Sequence, residues 1–280
     1  MPELPEVETV ANGVHALTHG ERIEEAWFSS KREPMKTPPA AMAKALTGRT
    51  IERVHRVGKH IVFDFVPDSK SEPIQWIVHL GMTGRLVVAD PDVPRPIHTH
   101  GILRLRSGRE LRFIDARRFG RMGIHSVQKS DSATQTPGFT GPGKEPLRIL
   151  KADFRELFHG RRTSIKAALL NQKLLHGVGN IYADESLFRA GVRPRRMASR
   201  LTVRELDKLH SAVQKVLREA IRLGGSSVSD YVDAAGERGF FQLRHNVYMR
   251  TGQPCLVCET PIRRIVAGGR GTHYCPACQR

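Results

Sequence analysis

The chain has 280 residues, with 45 Lys and Arg against 28 Asp and Glu, which gives a formal net charge of +17. This length is more than one small core needs and predicts two domains, and a hydrophobic content of 39% is ordinary for a folded protein. The excess of positive charge favours a polyanionic partner, with nucleic acid ahead of an acidic membrane surface. The sequence has no apolar run of about 18 residues and no signal-like N-terminus, so we expect a cytoplasmic protein without a membrane span.

The first half of the chain begins with a helical pattern and continues with short strand-like segments. Residues 5–18 repeat valine and leucine at helical spacing behind an N-terminal proline, which predicts a helix. Residues 22–125 alternate short apolar segments with Gly, Pro and Asp, which predicts an antiparallel sandwich or barrel. The predicted strands include residues 60–66, 75–80, 85–88, 101–105 and 110–114.

The second half of the chain is helical in pattern and follows a flexible connection. Residues 129–146 are polar and rich in Gly, Pro, Ser and Thr, which predicts a linker. Thr202 and Glu205 have the spacing of a capping box and predict the start of a long helix. Residues 224–245 contain scattered glycines and predict a loop. The predicted helices span residues 153–159, 164–170, 181–189 and 203–223.

All four cysteines of the chain lie near its C-terminus, in two CxxC pairs separated by 16 residues. Two such pairs can place four thiolates around one tetrahedral zinc ion, which leaves no coordination position for water. The pattern therefore predicts a structural zinc site, and free or redox-active thiols are the alternative interpretation. The predicted ligands are Cys255, Cys258, Cys275 and Cys278.

The amino terminus offers a possible nucleophile. If Met1 is removed, Pro2 carries a free secondary amine. An α-amino group has a pKa of about 7.7–8.0, so a useful fraction is neutral near pH 7. A neutral secondary amine can attack an aldehydic carbon and form an iminium ion, and the adjacent Glu3 could move protons. By itself a Pro-Glu start is a weak signal, since most such starts have no catalytic role.

Several blocks of sequence, in the same order along the chain, resemble the formamidopyrimidine-DNA glycosylase family. Each block alone has low specificity, but together they extend from residue 2 to residue 278. They are PELPEVET at 2–9, HLGMTG at 79–84, DARRFG at 115–120, GVGNIYADE at 177–185 and the cysteine segment at 255–278. Thr83 and Ala116 depart from the residues common in the family, serine and proline respectively, without loss of a needed functional group.

The resemblance implies an α+β fold in which successive parts of the chain form domains with different functions. Residues 1–128 would form a catalytic domain, an N-terminal helix with an antiparallel β-sandwich, and residues 129–146 a linker. Residues 147–245 would form a helix–two-turn–helix DNA-binding domain with a lesion-capping loop, and residues 246–280 a zinc-finger β-hairpin. The resemblance also implies a monomer with one structural zinc ion.

The resemblance implies a bifunctional base-excision repair enzyme that removes 8-oxoguanine and formamidopyrimidines and then cleaves the strand. Pro2 would attack C1′ of the damaged nucleotide, form a Schiff base and promote β,δ-elimination, with Glu3 as acid and base. Lys59 would lie near the lesion, and Arg270 of the hairpin would complete the catalytic set by contacting phosphate.

Excision from a duplex requires the base to leave the stack, and the space that it vacates must be filled. Met82, Arg117 and Phe119 match the family's space-filling residues. His98 matches a phosphate contact, for which His100 is the alternative, and Tyr182 could instead be a packing residue. The DNA-binding side chains implied by the resemblance are His98, Arg117, Lys166, Asn180 and Tyr182.

Other functions remain open at this stage. One is an endonuclease VIII-like glycosylase for oxidised pyrimidines. Another is a relative that binds DNA without catalysis, against which the retention of Pro2, Glu3 and Lys59 argues. An RNA-binding zinc-hairpin protein is the third. We expect the partner to be double-stranded DNA with a damaged base or an abasic site, in the bacterial cytoplasm and on the nucleoid.

Overall fold

The computed structural model describes residues 1–68, 72–127, 138–227 and 231–280, and it divides the chain into two compact units. Unit 1 consists of Met1–Thr140 and Gly224–Gly239, and unit 2 of Gly141–Leu223 and Phe240–Arg280. Residues 128–137, which include the first half of the predicted linker at 129–146, lie outside the described residues. The domain boundaries inferred from the sequence remain predictions.

Within its described residues, unit 1 has two helices and two four-stranded antiparallel sheets, as expected for the α+β class. The strand orders are β1-β6-β7-β5 and β2-β3-β4-β8. The helices are α1 (Leu4–Thr18) and α2 (Pro39–Leu46). The strands are β1 (Ile23–Phe28), β2 (Ile51–Val57), β3 (His60–Phe65), β4 (Ile74–His79), β5 (Arg85–Ala89), β6 (Thr99–Leu105), β7 (Glu110–Ile114) and β8 (Arg121–Ser126).

The core of unit 1 joins α1 to both sheets. Val7, Val10 and Val14 are at most 1% exposed, and α1 contacts β2, β3 and β5. Full burial of a valine side chain contributes roughly 1.5–3 kcal/mol relative to exposure, so this helical face fixes α1 firmly against the strands. The helix predicted over residues 5–18 is therefore confirmed, with its first turn beginning at Leu4.

Segment 224–239 belongs to unit 1 because it packs on the same helix. Ala234 is 1% exposed, and its carbonyl accepts a hydrogen bond from the Val88 amide at 3.2 Å. A Cβ added at Gly13 would lie 2.9 Å from the Cβ of Ala234, so the close approach requires glycine in α1. The boundaries predicted from the sequence place this segment in the helical domain instead.

Unit 2 contains helices followed by a β-hairpin. Thr202 and Glu205 form the predicted capping box, with the Glu205 amide donating to Thr202 Oγ1 at 3.3 Å. No helix of the described residues is both long enough and apolar enough to cross a bilayer. The elements are α3 (Lys151–Phe158), α4 (Ile165–Leu170), α5 (Asn180–Ala190), α6 (Val203–Arg222), β9 (Arg263–Ala267) and β10 (Arg270–Tyr274).

Candidate functional site

The predicted nucleophile lies directly before the N-cap of α1. Pro2 is buried, and Glu3 is the N-cap of the helix with 4% exposure. The Glu3 amide donates to Glu6 Oε2 at 2.8 Å, which is half of a capping box. Because the amino end of a helix carries partial positive charge, an amine on Pro2 would favour its neutral form there.

Glu6 connects this turn to segment 224–239. Its Oε1 accepts a hydrogen bond from the Ser226 amide at 2.7 Å, and the Tyr231 hydroxyl donates to its carbonyl at 3.4 Å. Burial raises the pKa of the Tyr231 phenol, and the negative charge of Glu6 raises it further, so the hydroxyl stays protonated as a donor. Gly225, at φ +80°, lies so close that an added Cβ would be 3.0 Å from Glu6. Described residues in the first part of the predicted lesion-capping loop therefore contact the first turn of α1, which directly follows Pro2 and Glu3.

Lys59 lies in the tight turn between β2 and β3 and is 9% exposed. Gly58 precedes it with φ +61°, a conformation that glycine adopts without strain. Arg56 donates to the carbonyl of Gly58 at 3.1 Å and pairs with Glu8 of α1 at 2.5 Å. Because Arg56 pins the turn to α1, the position of Lys59 is defined relative to the helix that bears Pro2.

His79, at the end of β4 and close enough to Lys59 to feel its charge, is itself uncharged at neutral pH. Burial, together with the positive charges of His60, Lys59 and Arg121, lowers the pKa of His79 to about 4. Its Nδ1 accepts a hydrogen bond from the Gly81 amide at 3.1 Å, which requires an unprotonated nitrogen. His79 therefore supports the following turn as a neutral acceptor.

The three predicted space-filling side chains are exposed on two adjacent turns of unit 1. Met82 is 40% exposed on the turn between β4 and β5, and Phe119 is 50% exposed on the turn between β7 and β8. The Arg117 guanidinium carbon lies 4.7 Å from the centroid of the Phe119 ring, within cation–π range. Large apolar side chains exposed together on adjacent turns are typical of a binding surface.

The two turns touch through their backbones. A Cβ added at Gly81, where φ is +64°, would lie 2.4 Å from the amide nitrogen of Gly120. A Cβ added at Gly120 would lie 2.5 Å from the Phe113 ring. Glycine at both positions therefore permits the close approach of the turns.

Gly81→Ala is expected to lower the free energy of unfolding by about 1–3 kcal/mol more than Gly108→Ala, because overpacking adds to the backbone strain. Gly108 is the matched control, since its φ is also positive, at +88°, and no atom of the described residues lies within 4 Å of an added Cβ. Urea denaturation of both variants measures the difference. Equal losses would contradict the predicted backbone contact.

The two histidines that compete for the phosphate contact have different environments. His98 is exposed on a turn before β6. His100 is 6% exposed, and its Nδ1 and Nε2 hydrogen-bond to Ser29 Oγ and the Asp115 carbonyl, each at 3.1 Å. Both ring nitrogens of His100 are therefore used in hydrogen bonds within the protein, whereas His98 is accessible for a contact with DNA.

In unit 2, the predicted DNA-binding groups Asn180 and Arg270 lie on connected elements. Asn180 is the first residue of α5, and its Nδ2 donates to the carbonyl of Gly271 at 2.9 Å. Its Oδ1 is buried and has no hydrogen-bond partner among the described residues. Arg270 is exposed at the start of β10, directly after a two-glycine turn. The amino end of α5 and the tip of the hairpin are thus held together.

Lys166 and Tyr182 do not reach the surface, in contrast to their predicted roles as DNA contacts. Both are 0% exposed. Lys166 Nζ donates to the Asn180 carbonyl at 3.0 Å and forms an ion pair with Asp184. The Tyr182 ring packs on Phe241 with 5.4 Å between ring centroids. A lysine needs a buried carboxylate to be fully enclosed, and Asp184 supplies it, so the placement supports an indirect role for both residues.

Two carboxylates of α5, Asp184 and Glu185, organise unit 2 and were missed as site residues. Asp184 accepts a hydrogen bond from the His273 amide at 2.9 Å in addition to its pair with Lys166. Glu185 accepts hydrogen bonds from the successive amides of Asn246, Val247 and Tyr248 at 2.9–3.0 Å. Acidic residues among the apolar residues of a short helix are the signal that could have identified them.

Asp184→Asn is expected to lower the free energy of unfolding by about 3–5 kcal/mol, because it leaves the Lys166 ammonium buried without its counter-charge. Asp153→Asn, at an exposed position of α3, is the control and is expected to change stability by less than about 0.5 kcal/mol. Thermal and urea unfolding would measure both. A small effect at Asp184 would show that the pair does not stabilise the fold.

The four cysteines form the predicted metal centre. Their Sγ atoms all lie within 4.8 Å of one another, with separations of 3.3 Å for Cys258–Cys278 and 3.9 Å for Cys255–Cys278. A tetrahedral zinc ion with Zn–S bonds of about 2.3 Å requires sulfur atoms about 3.8 Å apart, so the thiolates fit the ion. Four protein ligands complete its coordination, and the chain therefore has a structural zinc site.

The fold and these groups define the class of zinc-finger DNA glycosylases with a helix–two-turn–helix domain. Models of the formamidopyrimidine-DNA glycosylase N-terminal domain and H2TH domain match residues 1–122 and 143–232. The zinc finger found in FPG and IleRS matches residues 252–280. The chain belongs to the formamidopyrimidine-DNA glycosylase family.

Relatives and solved structures match over the full length. The formamidopyrimidine-DNA glycosylases of Solibacter usitatus and Geobacillus kaustophilus are 44% and 41% identical, with complete coverage of both chains. Lactococcus lactis Fpg in complex with an abasic site containing DNA is 32% identical, with a TM-score of 0.86 and 99% coverage of both chains. The wild-type L. lactis protein with an oxidised pyrimidine containing DNA matches with 32% identity, a TM-score of 0.85 and complete coverage of both chains.

Proposed function

We propose that this chain excises oxidised purines, namely 8-oxoguanine and formamidopyrimidines, from double-stranded DNA and then cleaves the strand at the resulting abasic site. The observation that carries the proposal is the placement of Pro2, which is buried directly before α1, next to the N-cap Glu3. This arrangement occurs in a chain that matches formamidopyrimidine-DNA glycosylases from end to end. A buried amine at a helix start is suited to nucleophilic attack because it favours the neutral form.

In the proposed reaction the Pro2 nitrogen forms a bond to C1′ as the glycosidic bond breaks and the base leaves with the bonding electrons. Glu3 protonates the sugar ring oxygen, and the opened ring becomes an iminium ion on Pro2. Proline is a secondary amine, so this iminium has no N–H proton to lose and remains an electron sink. Loss of a proton from C2′ then expels the 3′ phosphate, a second elimination expels the 5′ phosphate, and hydrolysis frees the amine.

The predicted DNA-binding groups support a duplex substrate. Met82 and Phe119 would enter the vacated stack while Arg117 bonds the orphaned base. His98, Asn180 and Arg270 would position the backbone through phosphate contacts, and Lys59 would lie near the lesion. We further propose that the chain acts as a monomer in the cytoplasm, on the nucleoid through its DNA contacts. We propose the domain boundaries predicted from the sequence, except that segment 224–239 belongs with the N-terminal domain.

Excision of oxidised pyrimidines is the second candidate function. The observation that favours it is the structure of L. lactis Fpg with an oxidised pyrimidine containing DNA, since that protein is similar to this chain over its full length. A substrate comparison separates the two activities.

Borohydride trapping tests the proposed function. The full chain, with zinc, is incubated with a duplex containing 8-oxoguanine opposite cytosine, and borohydride is added to reduce the Schiff base. We expect a covalent adduct that peptide mapping places on Pro2, and no adduct on an undamaged duplex. A thymine glycol duplex run in parallel tests the pyrimidine activity. No adduct with 8-oxoguanine, or an adduct on another residue, would overturn the proposal.

Binding of duplex DNA is expected to weaken steeply with salt, because each neutralised phosphate releases counterions. Each phosphate contact should add about −0.9 to the slope of log affinity against log salt concentration. Arg270→Ala is expected to reduce the magnitude of the slope by about one contact, whereas Arg204→Ala, at an exposed position of α6, serves as the control. Fluorescence anisotropy from about 50 to 200 mM salt measures the slope. A flat response would contradict binding through phosphates.

A further inference from the structure

The turns that carry the space-filling side chains meet at one buried carboxylate. Asp115 directly follows β7 and is 0% exposed. Its Oδ1 accepts hydrogen bonds from Thr83 Oγ1 at 2.6 Å and from the Arg117 amide at 3.2 Å, and its Oδ2 accepts one from the Gly120 amide at 2.7 Å. Thr83 follows Met82 in the chain, so the carboxylate binds both turns at once.

The backbone of the same residue binds a third turn. The Asp115 amide donates to the His98 carbonyl at 2.9 Å, and the Asp115 carbonyl hydrogen-bonds to His100 Nε2 at 3.1 Å. Burial lowers the pKa of His100, so the ring is neutral at physiological pH. With Nε2–H donating to Asp115, its Nδ1 accepts from the Ser29 hydroxyl. The turn that presents His98 is thus fixed to the same point as the other two.

We infer that Asp115 is a positioning residue that makes Met82, Arg117, Phe119 and His98 one preorganised unit. The inference rests on the proposed function, since it concerns how these side chains enter a duplex. Side chains on independent turns would each lose conformational freedom on insertion, whereas a unit that is already ordered avoids most of that entropy loss. Asp115 touches neither substrate nor reacting atoms in this role, and it acts through the turns that it holds.

The chemistry of the hydrogen bonds explains why a carboxylate is needed. Both oxygens of Asp115 receive only N–H and O–H donors from the surrounding turns. An amide group at this position would direct its own N–H at one of those donors, so Asp115→Asn both removes a bond and adds a repulsion. Thr83 needs only its hydroxyl, so Thr83→Ser keeps the donor and Thr83→Val removes it while preserving the shape.

Single-turnover excision on two substrates tests the inference. One substrate is a duplex with 8-oxoguanine opposite cytosine, and the other holds 8-oxoguanine in an unpaired bubble, where little stack has to be opened and filled. Asp115→Asn is expected to slow excision from the duplex by about 10- to 100-fold and from the bubble by less than about threefold. Thr83→Val is expected to shift the ratio of the two rates in the same direction, and Thr83→Ser to restore it.

Asp64→Asn is the matched control. Asp64 is a carboxylate of the same unit that accepts a hydrogen bond from Gln75 at 2.6 Å, on the other sheet, and we expect its substitution to leave the rate ratio unchanged. Equal slowing of Asp115→Asn on both substrates, or no slowing, would overturn the inference. If Asp115→Asn does not fold, Thr83→Val, which removes a single donor, decides by the same criteria. A wild-type chain inactive on both substrates would overturn the proposed function, and the inference with it.

Discussion

Pro2→Gln is expected to abolish the borohydride adduct and to lower the rates of base excision and strand cleavage by on the order of 10³-fold or more. A large residue in position 2 prevents removal of Met1, so the amine of residue 2 stays inside a peptide bond and cannot attack C1′. The glutamine is uncharged, which avoids a new charge beside the buried carboxylates of Glu3 and Glu6. Mass spectrometry of the purified protein confirms retention of Met1, and single-turnover kinetics with gel analysis measure both reactions.

Pro5→Ala is the control for this prediction. Pro5 is buried in the same helical turn, so its replacement perturbs the start of α1 without altering the amino terminus. We expect an adduct of normal yield from this variant. DNA binding by Pro2→Gln should remain within about threefold of the wild-type affinity, because the exposed phosphate contacts are intact. Excision by a chain shown to retain Met1 would mean that another group is the nucleophile.

The regular elements with strong patterns could be predicted from the sequence, and those with mixed patterns could not. Helices α1 and α6 were predicted because each has an apolar face of several turns and a start signal that the structure confirms. Strands β1, β2 and β8 were not among the named segments, and all three lie at an edge of their sheet. Edge strands often carry charged side chains that discourage pairing with another chain, so the alternation of apolar and polar residues is weaker in them.

The composition of the site was easier to predict than the environment of each residue. The four cysteine ligands follow from spacing alone, because CxxC turns bring thiolates together locally. Whether a lysine is exposed depends on a partner elsewhere in the chain. Lys166 is buried in an ion pair with Asp184, which is 18 residues away in the chain, and no local sequence pattern predicts that pair. The competition between His98 and His100 was likewise decided by burial.

Residues that position others are the hardest to predict, because their role lies in the geometry of the groups that they hold. Asp115 lies in the DARRFG block at 115–120, which resembles the family. Within that block the resemblance assigns DNA contact to Arg117 and Phe119 but gives Asp115 no role. Its hydrogen bonds reach Thr83 and the Arg117 amide, which the pairing of β5 with β7 and of β4 with β8 brings together. An acidic residue between an apolar strand-like segment and a basic turn is the sequence signal that would identify such a residue in another chain.

Cys275→Ser is expected to release the zinc ion, unfold the hairpin and lower the affinity for duplex DNA by at least about tenfold. The apolar cluster around the site contains little beside the ligands, with Phe188, Val247 and Ile262 packed on Cys255 and Cys275. A cluster this small and a two-stranded hairpin do not fold stably by themselves. Zinc binding contributes about 10–16 kcal/mol in isolated zinc fingers, so the metal supplies the stability that the core lacks.

Loss of the hairpin should weaken DNA binding through the contacts that join it to α5. Gly271 accepts a hydrogen bond from Asn180, and His273 donates to Asp184, so unfolding of β9 and β10 frees both side chains of the helix and displaces Arg270. Metal analysis, circular dichroism and fluorescence anisotropy measure the three expected losses. Val257→Ala is the matched control, because Val257 lies between the ligands of the first pair and is 72% exposed. A Cys275→Ser chain without zinc that still binds DNA with wild-type affinity would show that the metal is dispensable for the interface.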